Sequence, residues 1–145
     1  MAHRLAMFSS SRFTVAVHAL VVLAKYAKTA PVCSTFVASS VNTNPVVIRR
    51  MMIDLEKAGL VQSAAGRNGG FALNKPAETI SLADIYHAVE DQGIFRPHSP
   101  DPNSQCPVGV QILKVLEAPF ASAETALSDN LGKTTLDDIA LQIAA

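Results

Sequence analysis

The sequence lacks the residue patterns that announce an enzyme or a membrane protein. It holds only two cysteines, Cys33 and Cys106, and together with His87 and His98 they form no zinc-binding spacing. No H-E-x-x-H, G-x-S-x-G or paired-carboxylate motif occurs, so the familiar hydrolytic chemistries lack their residues. The stretch Gly66-Arg67-Asn68-Gly69-Gly70 has neither G-x-G-x-x-G nor Walker spacing, and no strand–glycine–helix unit surrounds it, which sets aside a nucleotide cradle. The longest apolar run, Val15 to Ala24, contains His18 and is too short to span a bilayer. Few cysteines and no signal-like N-terminus lead us to expect a soluble, cytoplasmic protein with no membrane partner.

Charge is lacking only in total. The 145 residues sum to a formal charge of zero, yet residues 1–75 carry nine basic side chains against two acidic, and residues 76–145 three against ten. Such a split suggests one half that faces a polyanion and another with a different task. A composition of 49% hydrophobic residues and 17% charged suits one packed domain, with room for an appended dimerisation element.

Periodicity supplies the organisation. Phe13, Ala16, Val17, Leu20, Val21, Ala24 and Ala27 recur at helical spacing behind Ser9-Ser10-Ser11, predicting a first helix to about Lys28 that Pro31 breaks. His18 on this helix reads as a packed residue with one hydrogen bond. A short helix follows over Ser34–Val41, with Phe36, Val37 and Val41 as its apolar side. Asn44 is placed to cap the next helix and Pro45 fits its first position, where the missing N–H costs nothing. Ile48, Met51, Met52 and Leu55 then form one apolar stripe, and Gly59 ends the helix. Two short helices across a tight turn are the layout of a helix-turn-helix. Leu60–Ser63 and Phe71–Leu73 read as paired strands around a loop of residues that tolerate positive φ, which makes a wing.

Ser81-Leu82-Ala83-Asp84 has capping-box spacing and opens a helix through Val89. Gly93 to Pro107 holds four prolines and reads as a loop. Val110 to Leu131 offers Leu113, Leu116, Phe120, Ala123, Leu127 and Leu131 on one side, with Pro119 expected to kink or divide it. Thr135-Leu136-Asp137-Asp138 repeats the Ser81 pattern and starts a last helix. The expected architecture is mainly α with a small β-hairpin: a winged helix-turn-helix domain over 1–90, a proline-rich loop over 91–109, and a long dimerisation helix with a C-terminal helix over 110–145.

The side chains left off the buried stripe carry the chemistry. Val46, Val47, Arg49 and Arg50 lie near the start of the second helix of the pair, where side chains reach base edges. Arginine pairs with guanine in bidentate fashion, and valine meets a thymine methyl. In the wing, glycines let backbone N–H groups approach phosphates while Arg67 enters a minor groove or grips the backbone. Cys33, at the mouth of the second helix, is expected as a buried, inert thiol.

Taken together, the Ser-x-x-Arg-Phe start at Ser9 to Phe13, the helix Ser34–Val41, "NPVVIRRMMIDLEKAGLV", "GRNGGF", "ISLADIYHAVE" and "TTLDDIA" near the end resemble the Rrf2 family of bacterial winged-helix regulators. That family includes the iron–sulfur cluster regulator and the nitric-oxide-sensing repressor. The resemblance implies a repressor that binds a palindromic operator in double-stranded DNA as a homodimer, its long C-terminal helix crossing to the partner. It implies a DNA-contacting set of Arg12, Asn44, Pro45, Val46, Val47, Arg49, Arg50, Arg67, Asn68 and Gly69. Cluster-binding members carry three cysteines in the loop before the long helix. Here only Cys106 stands there, which implies a protein without an iron–sulfur cluster or other cofactor. The arginine usual before the wing's first glycine is replaced by Ala65, so Arg67 stands in for it. Cys106 is the candidate sensor, through oxidation or through a small molecule lodged between loop and helix, with a purely structural thiol as the other reading. A winged-helix module for protein contacts, without DNA binding, is the competing functional class.

Overall fold

Apolar residues on nearly every side of the first helix put it at the centre of the molecule. The computed structural model describes residues 11–90 and 93–144. Its six α-helices and one hairpin follow in the order α1 (Arg12–Tyr26), α2 (Ser34–Val41), α3 (Pro45–Lys57), β1 (Val61–Ala64), β2 (Gly70–Leu73), α4 (Leu82–Val89), α5 (Ile112–Leu131) and α6 (Leu136–Gln142), with a 3-10 turn at Ala77–Thr79 before α4. Helix α1 buries Ala16, Ala19, Leu20, Val21, Val22 and Leu23 and packs against α2, β2, α4 and α6. Its expected serine start lies partly outside the described residues; Ser11 holds the cap position without a side-chain cap bond. The helix closes at Tyr26, two residues before the expected end, with the Ala27 N–H on the Leu23 carbonyl.

Helix α3 is where the sequence pattern is clearest. Asn44 Oδ1 accepts from the Val46 N–H at 2.8 Å, Pro45 takes the first helical position, and Ile48, Met51, Met52 and Leu55 are all buried. Burial is worth about 1.5–3 kcal/mol per large apolar side chain against about 1 kcal/mol for a cap. The cap therefore fixes where the helix begins, and the stripe fixes where it sits. Helix α2 departs from expectation in one respect. Val37 and Ala38 turn inward, while Phe36 is exposed and meets Tyr26 edge-on at 5.5 Å. His18, half-buried, shares one hydrogen bond with Ser40 Oγ at 2.9 Å, as its position on α1 suggested.

The hairpin pairs Val61 with Leu73 and Ala64 with Gly70, one residue later on β1 than the pattern indicated. A contact that no local pattern foretold joins it to the segment before α2. Val32 and Phe71 exchange backbone hydrogen bonds at 2.9 and 2.8 Å. Gly70 (φ +150°) sits so close that a Cβ there would collide with the Val32 carbonyl oxygen.

Both expected capping boxes form. Ser81 and Asp84 exchange bonds of 3.0 Å, and Thr135 and Asp138 bonds of 2.9 and 3.0 Å. The two boxes also face each other: the Leu82 N–H reaches the Thr134 carbonyl, and the Leu136 N–H the Ile80 carbonyl. Helix α6 thereby joins the core of the first 90 residues, with Leu136 fully buried and Ala140 nearly so. Helix α5 differs from all of these. It runs unbroken through Pro119 and has no fully buried residue; of the six residues on its apolar side, five are half-buried and Ala123 is exposed. Proline removes the N–H that would serve the Val115 carbonyl, and the helix is nonetheless continuous from Ile112 to Leu131, with Val115 65% exposed.

Candidate nucleic-acid interface

The outer face of α3 is built by subtraction. Four residues turn into the core, leaving Val46, Val47, Arg50 and Ile53 exposed, with Val46 and Val47 at 40% and 45% of their full area. Two adjacent valines stand half-open near the N-capped start of the helix, giving its outer face an apolar character. Arg49, also exposed, lies on the flank towards α2, where its Nη1 donates to Ser34 Oγ at 3.1 Å. Asp54 forms an ion pair with Arg12 at the start of α1. Arg12, expected among the DNA contacts, also braces α1 against α3 through that carboxylate.

The wing is fastened to the same helix. Ser63 Oγ on β1 donates to Glu56 Oε1 at 2.9 Å, and the Val32–Phe71 pairing holds β2 to the start of α2. At the tip Ala65, Gly66, Arg67 and Asn68 are exposed. Gly69 is a glycine for lack of room, because a Cβ would strike the Ala64 carbonyl oxygen. Its N–H donates to the Gly66 carbonyl at 3.1 Å, closing the turn at the tip. Arg67 is the charged group the wing presents.

The structure thus brings Asn44, Pro45, Val46, Val47, Arg49 and Arg50 together on one helix and sets Arg67, Asn68 and Gly69 on a wing tied to it. Both carboxylates on α3 are engaged, Asp54 by Arg12 and Glu56 by Ser63. The face therefore offers Arg49, Arg50, Lys57 and Arg67 as its net charge, a balance suited to phosphate. Sequence reasoning missed Ser34 and the two braces, because their partners lie 7 to 42 residues apart and obey no helical period. Cys33 was misjudged: it occupies the cap position of α2 and is exposed rather than buried. Cys106 lies in none of these elements. It occupies the turn before α5, where the backbone N–H groups of Gly109 and, secondarily, Val108 hold its thiol below the ordinary cysteine value.

An N-capped helix with an apolar and basic outer face, a short helix before it and a basic glycine-tipped hairpin after it define a winged helix-turn-helix. The model of the Rrf2 family, described as iron-dependent transcriptional regulators, matches residues 9–142, so the chain belongs to the Rrf2 family. It is 40% identical over 131 residues to YwnA of Bacillus subtilis, classed as a helix-turn-helix-type transcriptional regulator, covering 90% of this chain and 95% of the relative. Its fold is similar to that of a solved structure classed as a DNA-binding protein, with 38% identity, a TM-score of 0.71, and 89% and 98% of the two chains covered. CymR, the global cysteine regulator of B. subtilis, shares the fold at 22% identity and a TM-score of 0.68, over 94% of this chain and 98% of that one. The chain is a DNA-binding transcriptional regulator and not an enzyme. Among the described residues no helix is long and apolar enough to cross a membrane.

Proposed function

We propose that this regulator is a homodimeric repressor of a palindromic operator in double-stranded DNA. Helix α3 enters the major groove with Asn44, Pro45, Val46, Val47, Arg49 and Arg50, while Arg67, Asn68 and Gly69 of the wing lie along the neighbouring backbone or minor groove. The observation that carries this reading is the exposed Val46, Val47 and Arg50 face, rigidly joined to a basic wing. Repression follows from occupancy, since a dimer seated on an operator excludes other proteins from it.

The dimer is supported by α5, whose Leu113, Leu116, Phe120, Leu127 and Leu131 remain only half-buried. Among the described residues, an apolar groove of about 540 Å³ runs along α1 and α6, lined by Val17, Val21, Tyr26, Ile139 and Ile143. A two-fold axis through such faces sets two recognition helices on inverted half-sites. Leu116→Glu should give a folded monomer in sedimentation; a dimer unchanged by that charge would remove α5 from the interface.

The donor set does not fit an iron–sulfur cluster, which is held by several thiolates. Before α5 the chain offers one thiol, and among the described residues no three His, Cys, Asp or Glu side chains converge on a point. The reading therefore uses no cofactor. The signal enters at the turn before α5, where the Cys106 thiolate attacks peroxide, breaking its O–O bond to give a sulfenic acid and hydroxide, and the sulfenic acid then condenses with a low-molecular-weight thiol, releasing water, to a mixed disulfide. Away from that turn, the first part of the loop and α4 both contact α5. The Ile94 N–H donates to Glu124 at 3.0 Å, Phe95 stacks on Phe120 at 4.3 Å, and His87 meets Ser128 Oγ at 2.8 Å. A cleft of about 530 Å³ beside Phe95, Arg96, Glu117 and Phe120 favours a small ligand as the second route.

Selection of genomic fragments on the purified protein tests the function directly. Enrichment of an inverted repeat is expected, and Arg50→Ala should lower affinity for all sequences alike. No enriched sequence at low or moderate salt would favour a protein-binding role instead. Comparing the parent with Cys106→Ser before and after diamide tests the signal: loss of binding in the parent alone supports it, and equal loss in both rules it out.

A further inference from the structure

Ser34 is the only polar residue among the described residues that is buried. A serine at a helix start normally caps a backbone N–H, but here Cys33 holds the cap position without a side-chain bond and Ser34 is already inside α2. Its hydroxyl instead accepts from Arg49, fifteen residues away on the recognition helix. We propose that Ser34 is a positioning residue for DNA reading, which sets the guanidinium of Arg49 in the orientation that meets a base edge. The inference rests on the reading of Arg49 as a base contact.

The physical case is one of freedom removed in advance. An exposed arginine samples many rotamers, and each must be given up when it docks on a base. A hydrogen bond from a buried acceptor makes that selection before DNA arrives. The guanidinium has five N–H donors in a planar fork, so one bond to Ser34 leaves a two-donor edge for the N7 and O6 of a guanine. An arginine fixed in this way gains little on phosphate, which any orientation satisfies, and much on the correct base. Ser34 should therefore act on specificity while leaving general DNA affinity alone.

The test measures binding of the parent, Ser34→Ala, Arg49→Ala and the double variant to the selected operator and to a random duplex at one salt concentration. Ser34→Ala should lose operator affinity about three- to tenfold while keeping its random-duplex affinity and salt slope. The double variant should bind no more weakly than Arg49→Ala. Ser34→Thr and Ser34→Val, nearly identical in shape, isolate the hydroxyl: threonine should retain operator binding within about twofold and valine should lose it like alanine. The proposal is overturned if Ser34→Ala binds operator like the parent, if it weakens the Arg49→Ala protein by the same factor, or if threonine and valine behave alike. Should Arg49→Ala itself bind operator normally, the base-contact reading fails, and that result is separate from any of these.

Discussion

Helices α3 and α5 are written in the same idiom, apolar residues at helical spacing with charges elsewhere, and the fold treats them oppositely. Helix α3 has 13 residues and buries four of them; α5 has 20 and buries none. An amphipathic pattern says that a face needs covering and leaves open what covers it. Connectivity decides the rest. The tight turn between α2 and α3 delivers α3 straight onto its own core, whereas the proline-rich stretch before α5 carries that helix away from it. The apolar face of α3 serves this chain's stability, and that of α5 stays half-buried within the described residues.

The widest separation between the two should appear in chemical unfolding. Ile48→Ala, at a fully buried site, is expected to cost about 2–5 kcal/mol, while Leu116→Ala should change the stability of the dissociated protein by under about 0.5 kcal/mol. Equal losses would erase the contrast. Removal of the cap by Asn44→Ala should cost about 1 kcal/mol, visible as a lower melting temperature and with it weaker DNA binding, because the base-reading turn frays. A variant that melts normally would show that the buried stripe alone holds α3. On the wing, Arg67→Ala should reduce the slope of log affinity against log salt by about one, since one fewer counterion is released; an unaltered slope would place the wing away from the duplex. The smallest effect belongs to the α5 side. Backbone donors favour the Cys106 thiolate, so its reactive fraction persists to lower pH, and alkylation of a Cys33→Ser protein should show a midpoint below the ordinary value of about 8.5. A midpoint at or above that value would mean those amides do not reach the sulfur.

What could be read from the sequence was what short-range chemistry dictates. Asn44-Pro45, Ser81–Asp84 and Thr135–Asp138 each complete their bonds within three residues, and the stripe on α3 repeats at one period. The exposed set on α3 followed from that stripe by elimination. What escaped depends on pairing across the chain. Nothing near Arg12 announces Asp54, and nothing near Arg49 announces Ser34. Phe36 looked inward by period, but its ring is drawn to Tyr26 at the edge of the core. Pro119 was expected to kink or divide its helix, and the helix is not divided; a local residue rule does not report the surroundings that let a helix continue through a proline.

The facing caps at Ser81 and Thr135 have a consequence for how this kind of chain diversifies. The segment between them leaves the core at α4 and returns at α6 through one seam, closed by the Leu82–Thr134 and Leu136–Ile80 bonds. The loop, Cys106 and α5 all lie within that excursion, so changes there leave the two bonds of the seam in place but must respect the α4–α5 contacts such as His87–Ser128. Grafting the corresponding segment of another family member between Glu90 and Lys133 should therefore leave the winged helix-turn-helix folded wherever the graft keeps those α4–α5 contacts.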